Sequence, residues 1–191
     1  MTVRSILTIG DPALRFRAEE VDPASIASPE VQAVVDDLVD TMRAASGAGL
    51  AATQIGVPLR VCAIEVRSNL RYPYKPDIPL TVLVNPVLEP LASERFENNE
   101  GCLSVPGLRG NVWRYTELRV EGFDRHGGRV ETEVRGLSAG TFQHEVDHLD
   151  GVLFVDRVED TSTLATWEQW ERHHRAAFVQ RVERLVARYG S

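Results

Sequence analysis

The amino-acid sequence predicts an α+β fold, in which antiparallel or mixed strands surround a central helix and further helices lie near the N- and C-terminal ends. Strand-like runs follow one another between residues 60 and 135 without long helical crossovers, a pattern that favours antiparallel or mixed pairing over a doubly wound sheet. Apolar residues at helical spacing precede and follow this region. These two observations define the predicted class.

The first long helix is expected to begin after Ser28 and to end at about residue 45. Ser28 is a hydroxyl N-cap, and Pro29 occupies the first helical position, where its missing N–H costs nothing. Apolar residues then recur at spacings of three and four, which gives the helix one buried face. Ser46 and Gly47 are typical of a helix end.

The strands are predicted from apolar and β-branched runs that are separated by turn residues. They cover residues 61–66, 80–84, 87–91, 117–123 and 129–134. A second helix is expected at about residues 137–149, and a third at about 163–189. The chain lacks repeats and linker-like stretches, so we expect residues 1–191 to form a single domain whose C-terminal helix docks on the core.

Composition and charge exclude several function classes. The 191 residues are 43% hydrophobic and 26% charged, which is typical of a globular protein. No apolar run is long enough to cross a bilayer and the N-terminus lacks a secretion signal, so we expect a cytoplasmic protein with no membrane contact. The net charge of −7 argues against direct DNA binding through bulk electrostatics.

The predicted C-terminal helix is the basic part of the chain. From residue 167 onward five arginines oppose three glutamates, a local charge of +2 that leaves −9 for the remaining residues. We expect this helix either to make a transient contact with the ribosome or to present an ordinary solvated face.

The two cysteines need separate explanations, because a disulfide framework is not expected in a reducing compartment. Cys62 lies in an apolar strand-like run, where cysteine behaves as a small buried hydrophobe. Cys102 is flanked by glycine, serine and proline, which is typical of a loop. A loop thiol without a partner thiol is a candidate metal ligand or nucleophile.

The strongest chemical signal is the H-E-x-x-H arrangement of His144, Glu145 and His148. On the predicted second helix the two imidazoles project from one face and can meet one metal ion, while the glutamate lies about 100° further round. This is therefore the central, metal-binding helix of the predicted fold, and it indicates a zinc-type hydrolase. Two histidines on a solvated helix are the alternative.

A catalytic site of this kind needs a third protein ligand and an open position. Several glutamates lie downstream, but Cys102 has the more distinctive setting, and a thiolate with two imidazoles forms a soft donor set. Two other enzyme classes stay open at this point. A zinc peptidase would leave Cys102 as a bystander, and a papain-like thiol activated by His144 would leave His148 without a role.

Residues 47–56 offer the donors that a hydrolase needs where negative charge develops. The glycines allow close backbone approach to a ligand, and Gln54 supplies a side-chain amide. Taken alone, this segment is equally typical of a helix end.

Three segments together resemble the signature motifs of bacterial peptide deformylases. They are Gly-Ala-Gly-Leu-Ala-Ala-Thr-Gln-Ile-Gly at 47–56, Glu-Gly-Cys-Leu-Ser at 100–104 and Gln-His-Glu-Val-Asp-His at 143–148. With the similar opening at residues 10–15, the resemblance spans roughly residues 6–155. It implies hydrolysis of the N-formyl group from the N-terminal formyl-methionine of newly synthesised polypeptides, with release of formate.

The resemblance also implies a metal and its ligands. Cys102, His144 and His148 would hold one divalent ion, Fe²⁺ in the native protein, and Zn²⁺, Ni²⁺ or Co²⁺ can occupy the same ligands. Glu145 would act as general base toward water and then as acid toward the departing amine. A non-catalytic member, or one that sequesters deformylase inhibitors, is the remaining alternative.

Further roles carry over to the residues around these ligands. Gln54 and the backbone N–H of Leu103 would bind the developing oxyanion, and the backbone of Gly49 would contact the N-formyl-methionyl peptide. Glu100 and Arg114 resemble a supporting ion pair behind the site, although an ordinary surface pair is the alternative.

One stretch departs from the family pattern. The family commonly has arginine or a branched apolar residue and then another apolar residue or cysteine where this chain has Gly140 and Thr141. Helical geometry places Leu137 and Thr141 on the side of the histidines, so this turn is expected to line the pocket for the methionine side chain. Gly140 predicts a roomier or more flexible pocket.

Overall fold

A computed structural model describes residues 2–67 and 74–191. The α-helices in these ranges are α1 (Pro29–Ala44), α2 (Gly136–Leu149), α3 (Trp167–His173) and α4 (Arg175–Tyr189). The strands are β1 (Gly49–Ala51), β2 (Val61–Val66), β3 (Ile78–Pro90), β4 (Arg95–Cys102), β5 (Val105–Tyr115), β6 (Glu117–Phe123), β7 (Arg129–Arg135) and β8 (Ala165–Thr166). None of the helices in this part of the chain is long and apolar enough to span a membrane.

The strands form two antiparallel sheets. The five-stranded sheet has the order β1-β2-β3-β6-β7, and the three-stranded sheet has the order β4-β5-β8. Helix α1 packs on the first sheet through an apolar cluster, and α2 packs on the same sheet through Phe142 and Leu149. The predicted α+β class with antiparallel strands and helices near both ends is confirmed.

Helix α1 begins as the sequence predicts. The hydroxyl of Ser28 accepts a hydrogen bond from the backbone N–H of Val31 at 3.3 Å, and Pro29 is the first helical residue. Val35 and Leu38 of its apolar face are completely buried. The helix therefore anchors the N-terminal part of the chain to β1 and β2.

The predicted strands at 80–84 and 87–91 are one strand, β3. The pairing of β3 with β6 is irregular between Val84 and Val87, where Asn85 has a φ of +52°. The Asn85 side chain accepts a hydrogen bond from the N–H of Val21 and donates one to its carbonyl oxygen, at 2.9 and 2.8 Å. Asparagine tolerates this left-handed conformation, so the strand continues through Asn85. In the sequence the same residue separates two apolar runs, which is why two strands are predicted.

Strands β4 and β5 were not predicted. They form a long hairpin in which Arg95 pairs with Tyr115 and Gly101 with Arg109. Polar residues dominate β4, and β5 contains a proline and two glycines, so neither strand shows an apolar alternation. The expectation that Cys102 lies in a loop is wrong, because it is the last residue of β4.

The predicted single helix at 163–189 is divided. A 3₁₀ helix (Thr161–Thr163) and β8 precede α3, and α3 is separated from α4 at His174. Pairing of Leu108 with Thr166 draws the start of this segment into the three-stranded sheet. The guanidinium of Arg109 contacts the rings of Trp167 and Trp170, at 4.6 and 4.2 Å from their centroids, which holds α3 against β5.

Candidate metal centre

Two histidines of α2 and one cysteine of β4 converge at one point. His144 and His148 lie about one helical turn apart, with ring centroids 5.0 Å apart and ring planes at 81°. The Sγ atom of Cys102 lies 3.2 Å from Nε2 of His148. One ligand atom of each residue lies within 4.8 Å of those of the other two. The structure therefore brings together the three predicted ligands.

The donor set fits a divalent transition metal. One thiolate and two imidazoles are ligands that zinc and iron accept. Burial alone would raise the pKa of the Cys102 thiol, but the charge of His148 and hydrogen bonds with both histidines lower this pKa well below its ordinary value. Because the thiolate is the form that binds metal, the surroundings of the sulfur favour coordination.

Glu100 orients one histidine from behind. Its Oε2 atom accepts a hydrogen bond from Nδ1–H of His144 at 2.8 Å. Burial opposes the charge of this carboxylate, but the neighbouring Arg114 and the hydrogen bonds that it accepts hold the pKa of Glu100 well below its ordinary value. A carboxylate in this position fixes the proton of His144 on Nδ1 and leaves Nε2 available to a ligand.

The ion pair between Glu100 and Arg114 lies inside the protein. Two guanidinium nitrogens contact the two carboxylate oxygens at 2.8 and 2.9 Å, and the side chains are only 5% and 2% exposed. The alternative of an ordinary surface pair is therefore wrong. Arg114 also contacts Asp147 at 2.6 Å, and Arg157 contacts both oxygens of Asp147. Asp147 and Arg157 were not predicted, although Asp147 lies within the third motif.

Gln54 directs its amide nitrogen toward the same point. It belongs to a 3₁₀ helix (Ala52–Ile55), and its Oε1 atom accepts a hydrogen bond from the N–H of Ala51 at 2.8 Å. Its Nε2 atom donates to the hydroxyl of Ser104 at 3.0 Å and lies 3.7 Å from Sγ of Cys102. Ser104 was not predicted, although its N–H also lies 3.3 Å from that sulfur. The amide is thus held in one orientation.

Glu145 is buried against the backbone of β1. A Cβ atom at Gly49 would lie 2.3 Å from Oε1 of Glu145, so glycine is required for the carboxylate to lie there. Burial raises the pKa of Glu145, although the two nearby histidines oppose this shift. Its Oε2 atom has no hydrogen-bond partner among the described residues. A buried carboxylate with an unused oxygen can exchange protons with a molecule in the pocket.

A pocket opens in front of these ligands. Its walls include Gly49, Leu103, Gly140 and Thr141, four of the residues expected to contact a substrate or its developing charge. The pocket is also lined by Cys102 and by other residues of the centre described above. The pocket therefore leads from the surface to the converging ligands.

The structure corrects one expectation for the first turns of α2 and gives a further role to a second residue. Leu137 is buried in an apolar cluster with side chains of α3 and α4, and it is not part of the pocket wall. Gly140 is part of the wall, but a Cβ atom there would lie 3.1 Å from Phe96 and 3.2 Å from Asn98. Glycine at this position therefore allows α2 to pack closely on β4, and its effect on the room in the pocket stays a prediction.

Two basic residues that were not predicted also line the pocket. Lys75 donates a hydrogen bond to the hydroxyl of Thr141 at 3.0 Å. Arg109 donates to the side-chain and main-chain oxygens of Asn99, at 2.6 and 2.8 Å. Neither residue belongs to a metal-binding motif, so sequence spacing carries no signal for them.

The sequence model of the family described as Polypeptide deformylase matches residues 3–163. This chain belongs to that family. The deformylase match contains all three segments that build the centre, whereas α3 and α4 lie beyond it.

Deformylases of several bacteria are similar to this chain over most of their length. Peptide deformylase 1 of Nitrosomonas europaea is 47% identical over 158 residues, which are 83% of this chain and 89% of that protein. Peptide deformylase 2 of Ralstonia nicotianae is 49% identical over 158 residues, with 83% and 88% of the two chains covered.

Solved deformylase structures share the fold. The crystal structure of class I type b peptide deformylase from Acinetobacter baumannii with Met-Ala-Ser bound has a TM-score of 0.79 and 37% identity, and the match covers 82% of this chain and 99% of that one. A deformylase from Legionella pneumophila has a TM-score of 0.72 and 34% identity, with 98% and 99% covered. The second match therefore includes nearly all of the C-terminal segment.

Proposed function

We propose that this chain hydrolyses the N-formyl group of the formyl-methionine that begins new polypeptides, and that it does so in the pocket between β4 and α2. Membership of the deformylase family supports the activity. The proposed location of the active site rests on one observation, the convergence of Cys102, His144 and His148 beside Glu145. The Acinetobacter baumannii enzyme was crystallised with Met-Ala-Ser and with actinonin, which supports binding of a short peptide by this chain.

The metal would be held on α2 and at the end of β4. Cys102, His144 and His148 are the proposed ligands, and we infer Fe²⁺ as the native ion, with Zn²⁺, Ni²⁺ or Co²⁺ able to take its place. When bound, the cation supplies Lewis acidity, which polarises a carbonyl group and makes water a better nucleophile. A zinc peptidase with Cys102 as a bystander is less favoured, because the sulfur lies 3.2 Å from Nε2 of His148.

Glu145 would move the proton in this reaction. Its carboxylate takes a proton from water as the water oxygen attacks the formyl carbon, and burial raises its pKa toward the range that suits such a transfer. The carbon–nitrogen bond then breaks, and Glu145 gives the proton to the departing nitrogen. The products are formate and a peptide with a free amino terminus.

Gln54 and the backbone N–H of Leu103 would stabilise the oxygen on which negative charge develops. The hydrogen bonds of Gln54 to Ala51 and Ser104 hold its amide before the substrate arrives, so little reorganisation is needed. Gly49 would contact the peptide backbone and leaves room for Glu145.

The test is formate release from formyl-Met-Ala-Ser, together with metal analysis after anaerobic purification. Glu145→Gln is expected to keep the metal and to lower kcat by about 10²- to 10⁴-fold, because the proton carrier is lost. Gln54→Ala is expected to lower kcat by about 10²- to 10³-fold. Gln169→Ala, on the exposed face of α3, is the matched control and should behave as wild type.

Two results would contradict the assignment. Wild-type protein that binds metal but releases no formate would indicate a non-catalytic or inhibitor-sequestering member of the family. Cys102→Ala protein that retains its metal would favour the peptidase alternative.

Ribosome contact through the C-terminal helices remains a prediction, as do the single domain over residues 1–191 and the cytoplasmic location. Four of the five arginines in this segment form ion pairs within the chain, namely Arg172, Arg175, Arg181 and Arg188. This pairing reduces the charge that they offer to a polyanion and favours the solvated-face alternative.

A further inference from the structure

The turn of α2 that precedes the metal ligands has a polar partner from a distant part of the chain. Lys75 is the only lysine in the sequence, and its ammonium group donates a hydrogen bond to the hydroxyl of Thr141 at 3.0 Å. Both residues line the pocket that contains Cys102 and Glu145. Lys75 therefore contacts Thr141, one of the two residues at which this chain departs from the family pattern.

Thr141 lies close to the position that a reacting substrate must take. It precedes His144 by three residues and Glu145 by four, so on α2 its side chain is about 5–6 Å from both. A formyl carbon beside Glu145 is attached to the nitrogen of the first residue of the peptide. The side chain of that residue is attached to the atom that follows this nitrogen, and Thr141 and Lys75 line the same pocket as Glu145.

A third polar group extends the same part of the wall. Because residue 140 is glycine, β4 approaches α2 closely, and Asn98 lies against Gly140 at the pocket. The amide of Asn98 is fixed by a hydrogen bond of 3.0 Å to Oε1 of Glu100. The wall thus presents an ammonium group, a hydroxyl group and an amide close to one another.

We infer that Lys75 and Thr141 form a polar subsite for the first side chain of the substrate, and that this subsite favours formyl peptides in which that side chain ends in an oxygen acceptor. The inference rests on the proposed deformylase function. Methionine sulfoxide represents this class, since its oxygen can accept a hydrogen bond where the thioether sulfur of methionine is a weak acceptor. Norleucine has nearly the same length and offers no acceptor.

The charge state of Lys75 agrees with this assignment. Burial lowers the pKa of Lys75 to about 8, while the carboxylates of Glu100 and Glu145 oppose the shift. At pH 7 most molecules therefore carry the ammonium form, and a hydrogen bond from a charged donor is stronger than one from a neutral donor.

The experiment compares kcat/KM for three synthetic peptides, formyl-Met(O)-Ala-Ser, formyl-Met-Ala-Ser and formyl-Nle-Ala-Ser. The measured quantity is the ratio of the sulfoxide value to the norleucine value. Lys75→Met, which removes the charge at similar length, is expected to lower this ratio about tenfold or more, and Thr141→Val is expected to lower it less. Lys75→Arg should retain most of the ratio, and Arg184→Met, on α4, is the control for loss of a positive charge elsewhere.

The outcomes separate this inference from the proposed function. If none of the peptides is deformylated by the metal-loaded wild-type protein, the proposed function fails. If all are deformylated and neither Lys75→Met nor Thr141→Val changes the ratio, the subsite is overturned while the function stands. If one variant does not fold, as judged by thermal unfolding, the ratio measured with the other variant decides.

Discussion

Strands β2 and β4 each bury one cysteine and one arginine-paired glutamate, and the two sets have opposite chemistry. Cys62 of β2 is completely buried in an apolar cluster that includes Ile64 and Leu83, and burial raises the pKa of its thiol. Cys102 of β4 is also buried, but two imidazoles and the N–H of Ser104 surround its sulfur, and the pKa is lowered. Burial is common to both thiols, so the neighbouring groups decide which one can bind a metal.

The two glutamates differ in the same way. Glu65 of β2 is paired with Arg43 and Arg67, whose side chains are 48% and 72% exposed, so the ion pairs join α1 and β2 at the surface. Glu100 of β4 is paired with the buried Arg114 and also accepts from His144. The glutamate–arginine pair of β2 therefore connects α1 to the sheet at the surface, whereas that of β4 fixes the carboxylate that orients His144.

The largest expected effect separates the two cysteines. Cys102→Ala should lose the metal and at least about 10³-fold in kcat, because the Lewis acidity of the cation contributes several kcal/mol to transition-state stabilisation. Cys62→Ala should keep metal and activity and should lower the free energy of unfolding by about 1 kcal/mol, the effect of losing a small buried group. Metal analysis and formate release measure the first effect, and urea unfolding measures the second.

Either of two results would contradict this predicted difference between Cys102 and Cys62. Cys102→Ala protein with a full metal content would show that the sulfur is not a ligand. Cys62→Ala protein without activity would show that the apolar sheet contributes to the reaction as well.

The second expected effect separates the two arginines. Arg114→Leu leaves the charge of Glu100 buried without its main partner, which should lower the free energy of unfolding by about 3–5 kcal/mol. Arg43→Leu leaves Glu65 paired with Arg67 near solvent, so the loss should be about 1 kcal/mol or less. Both values come from urea unfolding with the same excess of metal. If both variants lose the same free energy of unfolding, the buried ion pair of Arg114 stabilises the protein no more than the exposed pair of Arg43.

The two sheets also differ in how well the sequence predicts them. The strands of the five-stranded sheet contain apolar and β-branched runs, since they form the core, and β2 and β6 begin and end where the pattern predicts. The buried side chains of β4 include Asn98, Asn99 and Glu100, which lie at or beside the site. Buried polar residues remove the alternation of apolar and polar positions by which a strand is predicted, so β4 resembles a loop in the sequence.

Motifs and helical geometry predict the part of the site that lies on one helix, and they do not predict its contacts with other segments. The spacing of His144 and His148 predicts that both lie on one helix face, and their rings are adjacent on α2. The geometry of one helix does not show which neighbouring element covers each residue. It therefore predicts Leu137 in the pocket, whereas side chains of α3 and α4 cover this residue. Lys75 reaches the pocket from a distant segment, and only the folded chain brings it there.

The smallest expected effect sharpens the comparison of the glutamates through pH. Hydrogen bonding to Arg43 lowers the pKa of Glu65 below its ordinary value in the folded state, although burial opposes this shift. A depressed carboxyl pKa stabilises the folded state above the unfolded pKa, and that contribution disappears as the pH falls through the folded value. Glu65→Gln should therefore be less stable than wild type at pH 7, by under about 1 kcal/mol because Arg43 is half exposed. The difference should shrink as the pH falls below the ordinary glutamate pKa, and it should vanish once the pH is below the lowered pKa of wild-type Glu65, where that carboxyl group is itself neutral. Urea unfolding at a series of pH values measures it, and a difference independent of pH would mean that the surface ion pairs of β2 contribute through packing and not through charge.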